Sequence, residues 1–213
     1  MPSTISMIIA IFAAGSAIAS PVEIVARQGG GQPKTIPVVV GSLTNAKQTT
    51  FTPNTVQANA GDTVQFQFAS ANHTVTQASG ADAPCAPMQG GANSGFMPVQ
   101  ANAKTFMAFN MKVTDASTPM YMYCAAANHC QLGMTMTINA AAGDAKAYNK
   151  AATKQQTNTP ADNVAGGSIT QVTKKQVQAA GGGAAGGKAA AAGGAGGGAG
   201  GLLAALGGGN KGN

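Results

Sequence analysis

The run Thr63-Val64-Gln65-Phe66-Gln67-Phe68 constrains this chain most. Val64, Phe66 and Phe68 alternate strictly with Thr63, Gln65 and Gln67. Such a period of two turns one apolar face to a core and one polar face outward, the pattern of a half-buried β-strand. The turn residues Asn59-Ala60-Gly61-Asp62 precede it. Other short segments have the same character. They are Ile36 to Val40, with Pro37 tolerated near the strand start; Thr55 to Ala58 after the turn Phe51-Thr52-Pro53-Asn54; Thr74 to Thr76 after a break at Ser70 to His73; Lys104 to Phe109; Met120 to Tyr123; and Met134 to Ile138. Roughly seven short strands with turns between them predict an all-β, antiparallel sandwich or small barrel. Ser79 to Val99 reads as a long polar loop, and loops of that length usually carry function or local structure.

The two ends of the chain limit where a core can form. From Gly181 to Asn213, 16 of 33 residues are Gly and 10 are Ala. Such a segment buries too little apolar surface to offset its ordering entropy, so it is expected to be disordered. Asp144 to Gln155 and Ile169 to Ala180 are expected at most as short surface helices with little apolar area to hold them. The compact domain is therefore expected over 35–140, about 100 residues. A Lys-containing, Gly/Ala-rich low-complexity tail is expected over 141–213. At the other end, Ile5 to Ala19 is apolar or small and closes on Ala17-Ile18-Ala19. A secretory signal peptide is expected over 1–19 and a linker or propeptide over 20–34. No later stretch reaches the roughly 20 apolar residues of a membrane span.

Charge is uneven. Lys47, Lys104 and Lys112 balance Asp62, Asp82 and Asp115 within the expected domain, and seven Lys stand against Asp144 and Asp162 beyond it. A basic flexible tail favours an anionic wall or matrix polymer. Its one aromatic residue, Tyr148, offers no stacking platform for bases, so sequence-specific nucleic-acid binding is not expected.

Three cysteines remain after export: Cys85, Cys124 and Cys130. An oxidising compartment favours pairing, and an odd count leaves one thiol to explain. Metal binding is one explanation, since coordination keeps a thiolate deprotonated. Connectivity cannot be read from spacing alone, and a Cys124–Cys130 bridge stays open at this point.

The segment from Tyr123 to Met134 presents Cys124, His129 and Met134 at intervals of five, and His73 ends an earlier strand. Two His and one Cys in a plane with a weak axial Met is the donor set of an electron-transfer copper site. Zinc accepts His and Cys but has little use for a thioether, so Met134 favours copper. The chain's two histidines are too few for a multi-His trinuclear centre as well. Eight methionines between Met88 and Met136 admit a copper(I)-relay reading, against the commoner role of Met as a core gap-filler.

These residues resemble the phytocyanin-like branch of the cupredoxins, in particular the small secreted fungal cupredoxins of extracellular serine-rich type. The resemblance covers about residues 36 to 140. It rests on Phe51-x-Pro53-x-x-Val56, Gly61-Asp62-x-Val64-x-Phe66-x-Phe68, Asn72-His73-Thr74-Val75-Thr76 and the loop from Cys124 to Met134. It implies a Greek-key cupredoxin β-sandwich or barrel holding one type 1 mononuclear copper. The implied ligands are His73, Cys124, His129 and Met134, and the implied disulfide is Cys85–Cys130. Met120-Tyr121-Met122-Tyr123 departs from the bulkier aromatics frequent before the ligand Cys in relatives. Asn72-His73-Thr74 is also a glycosylation sequon, and Asn72 is expected to stay unmodified because a glycan would crowd the site.

The expected function is that of a secreted, monomeric, non-enzymatic electron carrier, and the resemblance implies His129 as the port to a redox partner the sequence does not name. Four protein ligands leave no open position for a substrate. Copper sequestration or delivery, and a structural wall protein with a cupredoxin head, are the alternatives.

Overall fold

The computed structural model describes residues 32–183. The expected signal peptide, nearly all of the expected linker and the Gly/Ala-rich end from residue 184 lie outside the described residues.

The alternating run forms β4 (Thr63–Phe68): Val64, Phe66 and Phe68 are completely buried and Thr63 and Gln65 partly exposed, whereas Gln67 of the expected polar face is buried as well, its Nε2 donating to Gln65 Oε1 at 2.8 Å. Before it come β1 (Thr35–Val40), β2 (Phe51–Thr52) and β3 (Thr55–Val56). After it come β5 (Asn72–His73), β6 (Thr76–Gln77), β7 (Met97–Pro98), β8 (Thr105–Lys112), β9 (Met120–Tyr123) and β10 (Thr135–Ile138). The chain continues through α1 (Asp144–Ala152), β11 (Ser168–Thr173) and α2 (Lys174–Gly183).

Two main sheets enclose the core in a Greek-key sandwich. One has the order β11-β8-β4-β1-β2 and the other β3-β10-β9-β6, with β5 and β7 as a separate pair. Phe51, Phe66 and Phe109 from the first sheet meet Met122, Met136 and Ile138 from the second. The sheets are mixed rather than purely antiparallel, because β1 pairs with β4 and β3 pairs with β10 in parallel. Between β1 and β4 the chain visits the other sheet through β3, and it re-enters the first sheet in its original direction.

The folded chain does not end at residue 140, where the sequence suggests the tail begins. β11 pairs with β8 along six residues, from Ser168 opposite Asn110 to Thr173 opposite Thr105. A strand stands at 168–173 where a surface helix is expected, and the helix follows it. Val177 and Ala180 of α2 pack with Val39, Ala108 and Val172 in a second apolar cluster. Tyr148 and Ala152 of α1 pack with Cys85, Tyr123 and Cys130 in a third. Tyr148, Ala152, Val172, Val177 and Ala180 are thus buried while Val164 and Ile169 stay exposed, and main-chain pairing of β11 with β8 supplies the rest of the attachment. No helix among the described residues is long and apolar enough to cross a membrane.

Candidate metal centre

His73 ends β5, and Cys124 immediately follows β9. From there the chain makes a loop through His129 to Met134 and enters β10. Two strands therefore deliver the thiol and one imidazole, and the loop returns the second. Cys124 Sγ lies 3.7 Å from His73 Nδ1 and 3.4 Å from His129 Nδ1, and the two Nδ1 atoms are 3.2 Å apart. A point equidistant from the three atoms is about 2 Å from each, the length of a metal–imidazole bond. Cys124 and His73 are buried, while His129 is partly exposed. Among the described residues these three form the group of His, Cys and acidic side chains able to hold a metal ion together.

The loop is tied to itself and to its neighbours. The N–H of Met134 donates to the His129 carbonyl at 2.9 Å, and the Cys124 N–H donates to the Met134 carbonyl at 3.1 Å. The buried Met134 is therefore fastened through its backbone to both loop residues of the group. Cys85 and Cys130 form a disulfide with Cα atoms 5.8 Å apart, and Cys124 is left as the free thiol. The rival Cys124–Cys130 bridge is absent. The odd cysteine is the one that faces the two imidazoles.

Burial sets the protonation of the group. His73 is pulled down to about 4 by burial, with a further contribution from nearby His129. His129 is lowered by burial. The Cys124 thiol is raised by burial, against the opposing pull of the Thr74 N–H. Both rings are then neutral near pH 7 with nitrogen lone pairs to offer. The sulfur needs a cation beside it to lose its proton there. Two neutral imidazoles and a soft sulfur suit a soft or borderline transition metal, and this donor set fits copper.

Two proteins of Arthroderma benhamiae are similar in sequence. "Extracellular serine-rich protein" is 32% identical over 173 residues, covering 79% of this chain and 59% of that protein. "Probable GPI-anchored cupredoxin-1" is 30% identical over 141 residues, covering 65% of this chain and 62% of that protein. Among solved structures, the β-sandwich is similar to reduced rusticyanin, at 24% identity and a TM-score of 0.40 over 51% of this chain and 80% of that one. It is also similar to oxidised plastocyanin from Dryopteris crassirhizoma, at 19% identity and a TM-score of 0.32 over 48% and 96%. No protein-family model matches the chain. The chain spans about three fifths of the length of the curated relatives it matches.

The His73–Cys124–His129 group also depends on residues that ligand spacing does not single out. Thr74 donates its N–H to Cys124 Sγ at 3.3 Å and accepts the Ala125 N–H on its hydroxyl at 2.7 Å. Gly41 has a φ of +77°, and a Cβ there would lie 2.5 Å from Ser70 Oγ and 2.9 Å from His73 Nε2. The His73 ring therefore sits in space that only glycine leaves open. Thr74 stands in the Asn72–Thr76 motif that carries the resemblance, whereas Gly41 is signalled only as a lone Gly at a strand end.

Proposed function

We propose that the protein is a type 1 copper protein that passes single electrons outside the cell. His73, Cys124 and His129 would hold the copper, with Met134 as a fourth and weaker ligand. The observation that carries this reading is the convergence of one free buried sulfur and two imidazole nitrogens within 3.2 to 3.7 Å of one another. Copper bound by such donors changes oxidation state by one electron. The protein's part is to keep the donors in place. β5, β9 and the Cys85–Cys130 bridge fix the loop from several sides, so neither redox state requires much rearrangement.

Four protein ligands leave no open coordination position, which supports a carrier rather than a catalyst. His129 is the partly exposed member of the group and is the natural port to a redox partner. The extracellular placement rests on the names of the two relatives and on the signal-like N-terminus. The domain assignment of the ends, with a signal peptide over 1–19 and a low-complexity tail, belongs to this proposal; the described part of the expected tail runs to residue 183. Binding of an anionic wall polymer by the basic residues beyond 141 is part of the same reading.

The test is addition of copper(II) to the purified mature protein. An intense thiolate-to-copper band in the visible spectrum, absent in Cys124→Ser, is the expected result. A colourless wild type, or a band that survives the substitution, overturns the assignment. Copper kept through repeated cycles of oxidation and reduction supports electron transfer, whereas ready handover to a copper(I) chelator supports delivery.

A further inference from the structure

The segment that follows α1 returns across the ligand loop, and Asn158 is its point of contact. The Asn158 Nδ2 amide donates toward three carbonyls of that loop: Ala127 at 2.9 Å, Cys124 at 3.1 Å and Ala126 at 3.5 Å. Three carbonyls in one place leave only the NH₂ end of an amide able to face them. The next residue adds two more ties. The Thr159 N–H donates to the Cys85 carbonyl at 2.9 Å, and the Thr159 carbonyl accepts the Tyr123 hydroxyl. Two consecutive residues thus join the disulfide loop, the end of β9 and the first arm of the ligand loop.

Ala127 explains why that arm needs an outside hold. It has a φ of +43°, a left-handed conformation that costs a residue with a Cβ free energy. The carbonyl of this residue receives the shortest of the three Asn158 bonds. The other arm is held from α1, where Asn149 Nδ2 donates to the Gly133 carbonyl at 2.7 Å and to Thr135 Oγ1 at 3.0 Å.

We propose that Asn158, with Asn149 as its counterpart on the far arm, is a positioning residue that holds the Cys124–Met134 loop in its metal-ready shape. The residues beyond 140 are in this view part of the metal site's scaffold. The proposal rests on the copper reading for its consequence at the metal, but the clamp itself acts on the metal-free loop. It predicts that the loop is ordered before an ion arrives, so that little ordering remains to be done on binding.

Two readouts on the full mature chain test it, using Asn158→Asp, Asn158→Ala and Val172→Ala. Asn158→Asp preserves size but replaces the donor with a carboxylate facing three carbonyls. Val172 is buried between α2 and its own five-stranded sheet, in a cluster apart from the Cys124–Met134 loop, and serves as a control for lowered overall stability. The first readout is hydrogen exchange of the metal-free protein at the His129 and Met134 amides, which bond within the loop. Relative to the β4 amides, exchange at these positions is expected to rise about tenfold in both Asn158 variants and to stay at the wild-type ratio in Val172→Ala. The second is the copper band, expected to shift and to fade faster under a copper(I) chelator in the Asn158 variants alone. Wild-type exchange in Asn158→Asp overturns the clamp, as does an equal response in Val172→Ala. A wild type without a copper band sinks the copper reading, and the exchange measurement still decides the clamp.

Discussion

The backbone N–H of Thr74 points at the sulfur of Cys124 across 3.3 Å, although the two residues stand 50 positions apart in the chain. A hydrogen bond to sulfur is stronger when the sulfur carries charge, so this contact favours the thiolate that a metal requires. The same residue's hydroxyl satisfies the Ala125 N–H, and one threonine thereby joins the strand of the first histidine to the start of the ligand loop.

Thr74→Val keeps the N–H and the side-chain shape but removes the hydroxyl. The buried Ala125 N–H then has no acceptor, and stability is expected to fall by about 1–3 kcal/mol. Urea unfolding of the metal-free protein measures this. An unchanged midpoint would show that the Ala125 N–H finds another partner.

Gly41→Ala is expected to displace His73. The new Cβ meets Ser70 Oγ and His73 Nε2 well inside normal contact, and the φ of +77° is unfavourable to alanine. The loss of stability is expected to exceed about 1 kcal/mol, with weaker copper binding by titration. Wild-type affinity in this variant would mean that the ring position is not constrained by the glycine.

Replacing both Cys85 and Cys130 by Ser removes a bridge between residues 45 positions apart. The chain-entropy account gives a loss of roughly 3 to 4 kcal/mol. Denaturant unfolding under matched metal-free conditions checks it, and the loop from Cys124 to Met134 should become the first segment cut by a protease.

Asp62 gives the fold a defined acid sensitivity. The Lys34 ammonium lies 2.8 Å from its carboxylate, which also accepts the N–H groups of Lys34 and Asn59. These contacts, led by the Lys34 side chain, bring Asp62 down to about 2 from an ordinary 3.8. Because the folded value is the lower one, the stabilisation is complete above about pH 4 and is lost as pH falls through about 2. The melting temperature of Asp62→Asn should lie below wild type by a constant margin at neutral pH. That margin should close on acidification, and a gap that persists at about pH 2 would assign the effect to packing instead.

Much of the site was legible because its chemistry is local. Cys124, His129 and Met134 lie in one loop at equal spacing, and soft donors at that spacing narrow the metal even without coordinates. The core face of β4 was legible for a similar reason, since alternation of Val64, Phe66 and Phe68 with polar residues needs no knowledge of the partner strand. The parallel pairings of β1 and β3 were not, because period two is the same in either direction. Residues 141–183 were the larger omission. Tyr148, Val172 and Val177 are widely spaced among Ala, Gly, Lys and Asn, and β11 is attached chiefly through its backbone. Asn158 works on carbonyls, which leave no mark on hydrophobic periodicity.

The six-residue register of β11 on β8 has a practical corollary. Any fragment truncated at residue 140 would leave the whole outer rim of β8 with unsatisfied amide and carbonyl groups, open to strands from other molecules. Such fragments should precipitate or self-associate on expression even though every prospective copper ligand is retained, so the smallest well-behaved recombinant unit extends past Thr173.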